Sequence, residues 1–417
     1  MSEKCQIKRI KKIERGSLCS SVAAYLQPIR VGNAKERKGI KMKVYVNLFV
    51  YFVLVCCSSE ELIACTGIRL VANDKSVVYG RTMEWGAFNL KTELVIIPRK
   101  TEFVGLVPKQ SEEGERSLKK TYGKKWSSQY GFVALMITDD SAGMFFGDGM
   151  NENGLAIGSY YHDGFADYND YDSARSNKTI SSQDFVAYVL SRCATVQDVR
   201  DEFKDENIRV VAVKDAVLKK PVYFHWMITD SSGSSIVVEF INRKVKIYEN
   251  TLGVITNNPT YDWHLLNLRN YVNLSANPKD GLLLKNEDII KPMGSGSNML
   301  GLPGDFTPPS RFVRAVAWTQ TARHTDTSTE TIYELFRILD NFNRPVEGGM
   351  ESAGMRSSTQ WTTGWDLTKK ILYYHTQHNR RVRRLKFDLC RFEPGSEKVA
   401  NYLDYHGKKQ DMLDILP

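Results

Sequence analysis

SSEELIACTGIRL, residues 58–70, places a cysteine between a small residue and a threonine-glycine pair, a few positions after an apolar run. That run, VYVNLFVYFVLVCC at 44–57, has Asn47 as its only polar interruption. At about 14 residues it is shorter than the ~20 that a bilayer-spanning helix needs. It follows Met42-Lys43 and gives way to polar SSEEL and then Ala64, the layout of an export signal followed by a processing point. The working protein is therefore expected to begin at Cys65. Residues 42–64 read as a signal peptide plus a short propeptide, and residues 1–41 as a basic leader upstream of the true start. Residues 65–417 read as a single domain, secreted or periplasmic, that meets a membrane only in transit.

A cysteine freed in this way carries an α-amine beside its own thiol. The amine titrates near pH ~8 and the thiol near ~8.5, so one residue can supply both base and nucleophile. No histidine is then required. The seven histidines form no ligand spacing, and a metal site is not expected; no cofactor is implied. Of seven cysteines only Cys65, Cys193 and Cys390 fall in the working part, an odd number that argues against a disulfide framework. Cys193 lies on the apolar side of a predicted helix and reads as a core thiol.

Charge narrows the partners. Twelve Lys and Arg against five Asp and Glu lie before Cys65, so the leader carries most of the net charge of +9. What remains is too nearly neutral to make a case for nucleic acid.

The rest of the chain is dominated by apolar runs of strand length, rich in Val, Ile, Tyr and Phe and punctuated by Gly, Asn, Asp and Ser. They lie at 94–98, 131–138, 154–161, 222–229, 234–241, 244–249, 253–256 and 370–376. Several are apolar on both faces, which calls for sheets covered on both sides. Helices are predicted at 182–203, broken at Ala194-Thr195, at 309–323, and at 327–342, where Thr327 and Glu330 form a capping-box pattern. Trp85, Trp226, Trp263 and Trp361 read as core packing. Two sheets with helices outside them is the architecture this pattern predicts.

Sixteen residues after the cysteine comes GRTMEW, with Arg81 and Glu84. A cation near the sulfur favours thiolate, and a carboxylate can orient the α-amine. By itself the pair is a weak signal, more often found on a surface than in a site.

The run CTGIRL, YGRTMEW, LVIIPR resembles the start of mature choloylglycine hydrolase family enzymes, which include conjugated bile salt hydrolases and penicillin V acylases. Further matching segments follow in order: GDGMNENGLAIGSYY (147–161), HWMITDSSGSSIVVE (225–239), GVITNNPTYDWHLLNLRNY (253–271) and GLPGDFTPPSRFVRA (301–315). The resemblance implies an α+β, four-layer αββα N-terminal nucleophile hydrolase fold, with two antiparallel sheets between helix layers. It also implies hydrolysis of linear amide C–N bonds in a small-molecule substrate, and a homo-oligomer, up to a tetramer. Carried over by motif, Cys65 would be the nucleophile and Arg81 its cationic neighbour. Asn257 would donate to the oxyanion, the Tyr161 backbone N–H would complete that hole, and Arg311 would be a second cation near the sulfur. Glu84 stands where many members have Asp, which lengthens that carboxylate by a methylene. Without the resemblance, Asn257 would read as turn chemistry, Arg311 as a surface charge and Tyr161 as a core aromatic. Two other functions remain open. One is a lipid-anchored envelope binding protein, because LIAC also resembles a lipoprotein box, although SSEE intervenes; the other is an N-acyl homoserine lactone acylase of the same family.

Overall fold

The computed structural model describes residues 65–85, 90–108, 122–139, 143–214, 221–345, 349–350 and 356–404. The leader, the export segment and the processing point at Ala64 lie outside the described residues. No helix among the described residues is long and apolar enough to cross a membrane.

Two sheets form the centre. The first runs Val254–Ile255, Cys65–Val71, Val77–Trp85, Arg356–Asp366, Ile371–Thr376, Arg383–Lys386, with Gly349–Met350 added on Arg356–Asp366. The second runs Lys244–Glu249, Ser235–Ile241, Phe224–Thr229, Ala156–Tyr161, Gly143–Asn151, Phe132–Asp139, Glu93–Ile97, Val399–Tyr402. Neighbours in both sheets are antiparallel. The helices Pro308–Thr321 and Ser328–Leu339 pack on the first sheet, and Phe185–Arg192 packs on the second. The order is therefore helix, sheet, sheet, helix, the α+β fold that the resemblance implied.

Covering on both faces explains why Phe224–Thr229 is buried at every position and why its sequence shows no polar alternation. The sheets approach closely through small residues. A Cβ on Gly67 would lie 1.9 Å from the Tyr160 hydroxyl, and one on Gly158 would lie 2.1 Å from the Tyr79 hydroxyl. The two phenols then meet at 2.8 Å between the sheets.

The helix boundaries follow local chemistry. Thr195 and Asp198 cap each other reciprocally at the start of Val196–Phe203, while Cys193 and Thr195 are extended, which divides 182–203 where the sequence suggested. At Ser328–Leu339 the Thr327 hydroxyl accepts from the Glu330 N–H, but the Glu330 carboxylate reaches the Asp326 N–H, one residue further out than a capping box. Pro308 and Pro309 open the Pro308–Thr321 helix, where missing N–H groups cost nothing. Cys193 is buried, and Cys65, Cys193 and Cys390 are all free thiols. Trp226 and Trp361 are core residues, but Trp263 is 42% exposed. It lies in the first turn of Tyr261–Asn267, on the side away from the buried Tyr261 and His264.

Candidate active site

Cys65 opens its strand and pairs with Met83 across the ladder. Successive strand residues point to opposite faces, and this sorts the surrounding groups. Cys65, Gly67, Arg81 and Met83 face the second sheet, whereas Thr66, Thr82 and Glu84 face the helix layer. Arg81 and Glu84, three apart, therefore stand on opposite sides of one strand.

Arg81 is buried between the sheets. It donates to the carbonyls of Gly147 (2.9 Å) and Ser159 from the second sheet, and its guanidinium lies 4.4 Å from the Tyr160 ring centroid. Burial by itself would lower its pKa, but the surrounding Cys65, Tyr160, Tyr79 and Asp148 raise it, so it is a fixed cation. Between Arg81 and the sulfur stands Met83, 3.9 Å from Cys65 Sγ.

On the other face Arg311 is fully buried rather than on the surface. Its Nε donates to the Phe306 carbonyl (2.9 Å), one terminal nitrogen to the Cys65 carbonyl and the Thr66 hydroxyl (2.9 Å), and the other to Asn257 Oδ1 (2.8 Å). Burial lowers it to about 10, opposed by Glu84 and Cys65. Glu84 accepts from the Thr359 hydroxyl at 3.1 Å, and burial pushes it up to about 7. Its second oxygen has no hydrogen-bond partner among the described residues.

Asn257 joins these parts. Its Oδ1 accepts from the Cys65 nitrogen (2.7 Å) and from Arg311, and its Nδ2 donates to the Tyr161 carbonyl (2.9 Å). The first two partners can only donate and the third can only accept, so the orientation of the amide is settled by its neighbours. One Nδ2 hydrogen is used by Tyr161, and the other has no hydrogen-bond partner among the described residues. The His162 N–H bonds the Tyr223 carbonyl on the neighbouring strand, so alternation turns the N–H and C=O of Tyr161 together toward the opposite edge. That is the edge at which Asn257 sits. The Tyr161 ring is buried, donates to Asp163 (2.9 Å) and packs edge-on against Phe224.

The Cys65 nitrogen is here a peptide amide and accepts no proton. Burial pushes the thiol up and Glu84 adds to it, with Arg81 and Arg311 opposing, so the sulfur is a neutral thiol.

The structure thus gathers Cys65, Arg81, Glu84, Tyr161, Asn257 and Arg311 around the start of one strand. The sequence reading missed a second cluster behind Asn257. His162, His225 and Glu239 are buried together, with His225 Nδ1 2.9 Å from Glu239 Oε1 and His162 Nε2 3.9 Å from it. The signal for His225 and Glu239 was a titratable residue inside an otherwise apolar strand, VYFHWMIT and SSIVVEFI; His162, just past Ala156–Tyr161, carried none. The three could supply metal ligands, but the imidazoles of His162 and His225 stack at 4.1 Å and 9°. An ion bound in the plane of one ring cannot lie in the plane of the other, so this arrangement does not form a shared site.

The model of linear amide C–N hydrolases of the choloylglycine hydrolase family matches residues 65–398, starting at the cysteine itself. The chain belongs to that family. It is a cysteine-based hydrolase that cleaves amide C–N bonds. It is 30% identical over 340 residues to the bile salt hydrolase/transferase of Clostridium perfringens, covering 81% of this chain and 97% of that protein. A crystal structure of a conjugated bile acid hydrolase variant from Clostridium perfringens superposes with a TM-score of 0.70 at 27% identity, over 84% of this chain and 100% of the other. The penicillin V acylase of Agrobacterium tumefaciens gives 0.62 at 24% identity, over 81% and 92%, a likeness that bears on the fold alone.

Proposed function

We propose that this family member is an exported amidase whose nucleophile is Cys65, made N-terminal by removal of the residues before it, and that its preferred acyl group ends in a flat aromatic ring such as phenoxyacetyl. The observation that carries the catalytic part is the unspent N–H on an Asn257 side chain whose orientation Arg311 and the Cys65 nitrogen fix. In the processed enzyme the freed α-amine takes the thiol proton, and the sulfur attacks the amide carbon. The carbonyl oxygen becomes an oxyanion held by Asn257 Nδ2 and the Tyr161 N–H. The protonated amine then gives its proton to the leaving nitrogen as the C–N bond breaks. Water attacks the resulting thioester, releases the carboxylic acid and restores the thiol. Glu84, with one unpartnered oxygen, pairs with the ammonium form of the amine, and Arg81 lowers the cost of the thiolate.

Three aromatic rings beside the oxyanion strand support the acyl preference. Phe145 and Phe224 lie 5.5 Å apart, and Tyr161 packs on Phe224 at 6.5 Å. One pocket residue changes selectivity by about 1–3 kcal/mol, roughly 10- to 200-fold. The test is kcat/KM for penicillin V against glycocholate on wild type and Tyr161→Asn. A tenfold wild-type preference for glycocholate, or a ratio unmoved by the substitution, would reject the aromatic reading in favour of a steroid acyl group.

The same reading includes self-association. A small hairpin pairs Leu282 with Ile290 and Leu283 with Ile289, and all four are more than half exposed. The two pairs lie on opposite faces of the hairpin, and apolar side chains exposed on both faces are expected to be covered by another copy of the chain. Light scattering on Leu283→Glu/Ile290→Glu should show a smaller species than wild type.

A further inference from the structure

We infer that Glu239 and His225 hold one proton between them, and that this shared proton fixes the Thr256–Asn257 backbone from behind, making both of them positioning residues for the oxyanion donor. The inference rests on the reading of Asn257 given above.

The argument is an accounting of hydrogens. His225 Nε2 lies 3.0 Å from the Thr256 carbonyl, which can only accept, so Nε2 carries a hydrogen. His225 Nδ1 lies 2.9 Å from Glu239 Oε1, and one hydrogen must stand between them. If His225 is neutral, its Nδ1 is a bare lone pair and Glu239 must be the protonated acid. If His225 is an imidazolium, Glu239 is the carboxylate. Both descriptions contain the same number of protons, one more than a carboxylate and a neutral imidazole would have. Oε1 also accepts from the Tyr261 N–H at 2.9 Å, which ties the pair to the start of the next helix.

The segment between is held at consecutive carbonyls. His225 holds that of Thr256, and His264 Nε2 holds that of Asn257 at 3.0 Å. The other groups facing the pair are His162, stacked on His225, Tyr160 edge-on to the same ring, and His264. Tyr248 and Lys246 face it from the neighbouring strand, and Asp262 from the Tyr261–Asn267 helix. Burial favours the neutral description, holding His225 down at about 3 and Glu239 up at about 7.

The consequence has a definite sign. Above about pH 7 the shared proton leaves for solvent and Glu239 becomes a carboxylate facing a lone pair. His225 relieves this by moving its remaining hydrogen from Nε2 to Nδ1, and in doing so it releases the Thr256 carbonyl. Asn257 then loses its fixed position, and kcat falls while KM is little changed.

The test needs the intact, processed enzyme and two readouts. Nitrogen-15 spectra of the histidine rings, with His225 assigned by its absence in His225→Gln, should show hydrogen on Nε2 at pH 6 and a switch to Nδ1 by pH 9. An unchanged Nε2–H form across that range, or an Nδ1–H neutral form already at pH 6, would overturn the inference. In the second readout Glu239→Gln, which has no proton to lose, should remove the alkaline limb governed by this pair and lower kcat at pH 6 roughly 10- to 100-fold, the scale of a misplaced catalytic group. A Glu239→Gln profile that keeps the wild-type limb would also overturn it. An Asn257→Ala enzyme with unchanged kcat would instead remove the oxyanion reading while leaving the tautomer switch in place.

Discussion

Arg311→Lys separates two roles that a buried cation beside a catalytic sulfur can have. Lysine keeps the positive charge but replaces a planar fork with a single ammonium. Arg311 serves four acceptors from three nitrogens: the carbonyls of Phe306 and Cys65, the Thr66 hydroxyl and Asn257 Oδ1. These acceptors surround the guanidinium on different sides, so one ammonium reaches two of them at most. Each lost hydrogen bond to a charged donor costs about 1.5–3 kcal/mol, giving a destabilisation of about 3–6 kcal/mol for two. Where Asn257 Oδ1 is among the acceptors lost, it keeps only the Cys65 nitrogen, and its amide is held less firmly. A loss of roughly 10- to 100-fold in kcat is expected, with KM little changed. The assay is amine release at saturating substrate on processed enzyme, paired with a urea unfolding midpoint. A lowered midpoint with kcat within about threefold of wild type would refute the reasoning, because charge alone would then suffice.

Three other outcomes are expected. Cys65→Ala should abolish turnover, whereas Cys193→Ala, at a thiol packed in the core, should keep wild-type kcat with a stability loss of about 1 kcal/mol; equal loss of activity in both would mean a folding defect. Asn257→Ala should lower kcat by about 10²- to 10³-fold as one oxyanion donor is removed, and an unchanged kcat would return it to a turn-forming role. Stability should be nearly level from about pH 5 to 6.5 and fall below about pH 4.5. Burial holds His162 and His225 at about 3 and His264 and His375 at about 4, so their stability is present above the unfolded value near ~6.5 and is lost as pH falls. Burial lifts Glu84 and Glu239 to about 7 and Asp148 to about 6, so their stability is present below about 4 and is lost as pH rises. The two sets oppose each other between, and at the acid end the histidines are joined by Asp74, Glu152, Asp262 and Asp305, whose hydrogen bonds hold them below the usual carboxylate range and whose stability is also lost as pH falls. A urea midpoint that climbs steadily down to pH 4 would contradict this balance.

The strands, the helix break at Ala194-Thr195 and the layer order were legible because each depends on local pattern. Residues 235–241 need only neighbours on both faces to justify an apolar run. The site was legible in part, and only through the family resemblance, since Asn257 in TNNP and Arg311 in PPSRF carry no local mark of burial. Trp263 shows the limit of composition. A tryptophan beside a buried tyrosine reads as core, but helical rotation puts it on the exposed side of a short helix.

What sequence spacing concealed most fully is the division of labour between the two faces of one strand. GRTMEW reads as one charged cluster, and the alternation of a strand makes it two. Arg81 anchors the sulfur's surroundings to the carbonyls of the second sheet, so its position depends on the packing of sheet against sheet. Glu84 and Arg311 lie toward the helix layer, where Arg311 grips the backbone of Cys65 and the side chain of Asn257. Asn257 in turn is held from the second sheet by Tyr161 and from behind by His264, while His225 holds the Thr256 carbonyl before it. The start of one strand is thus fixed by groups that come together only when both sheets and the Pro308–Thr321 helix are in place.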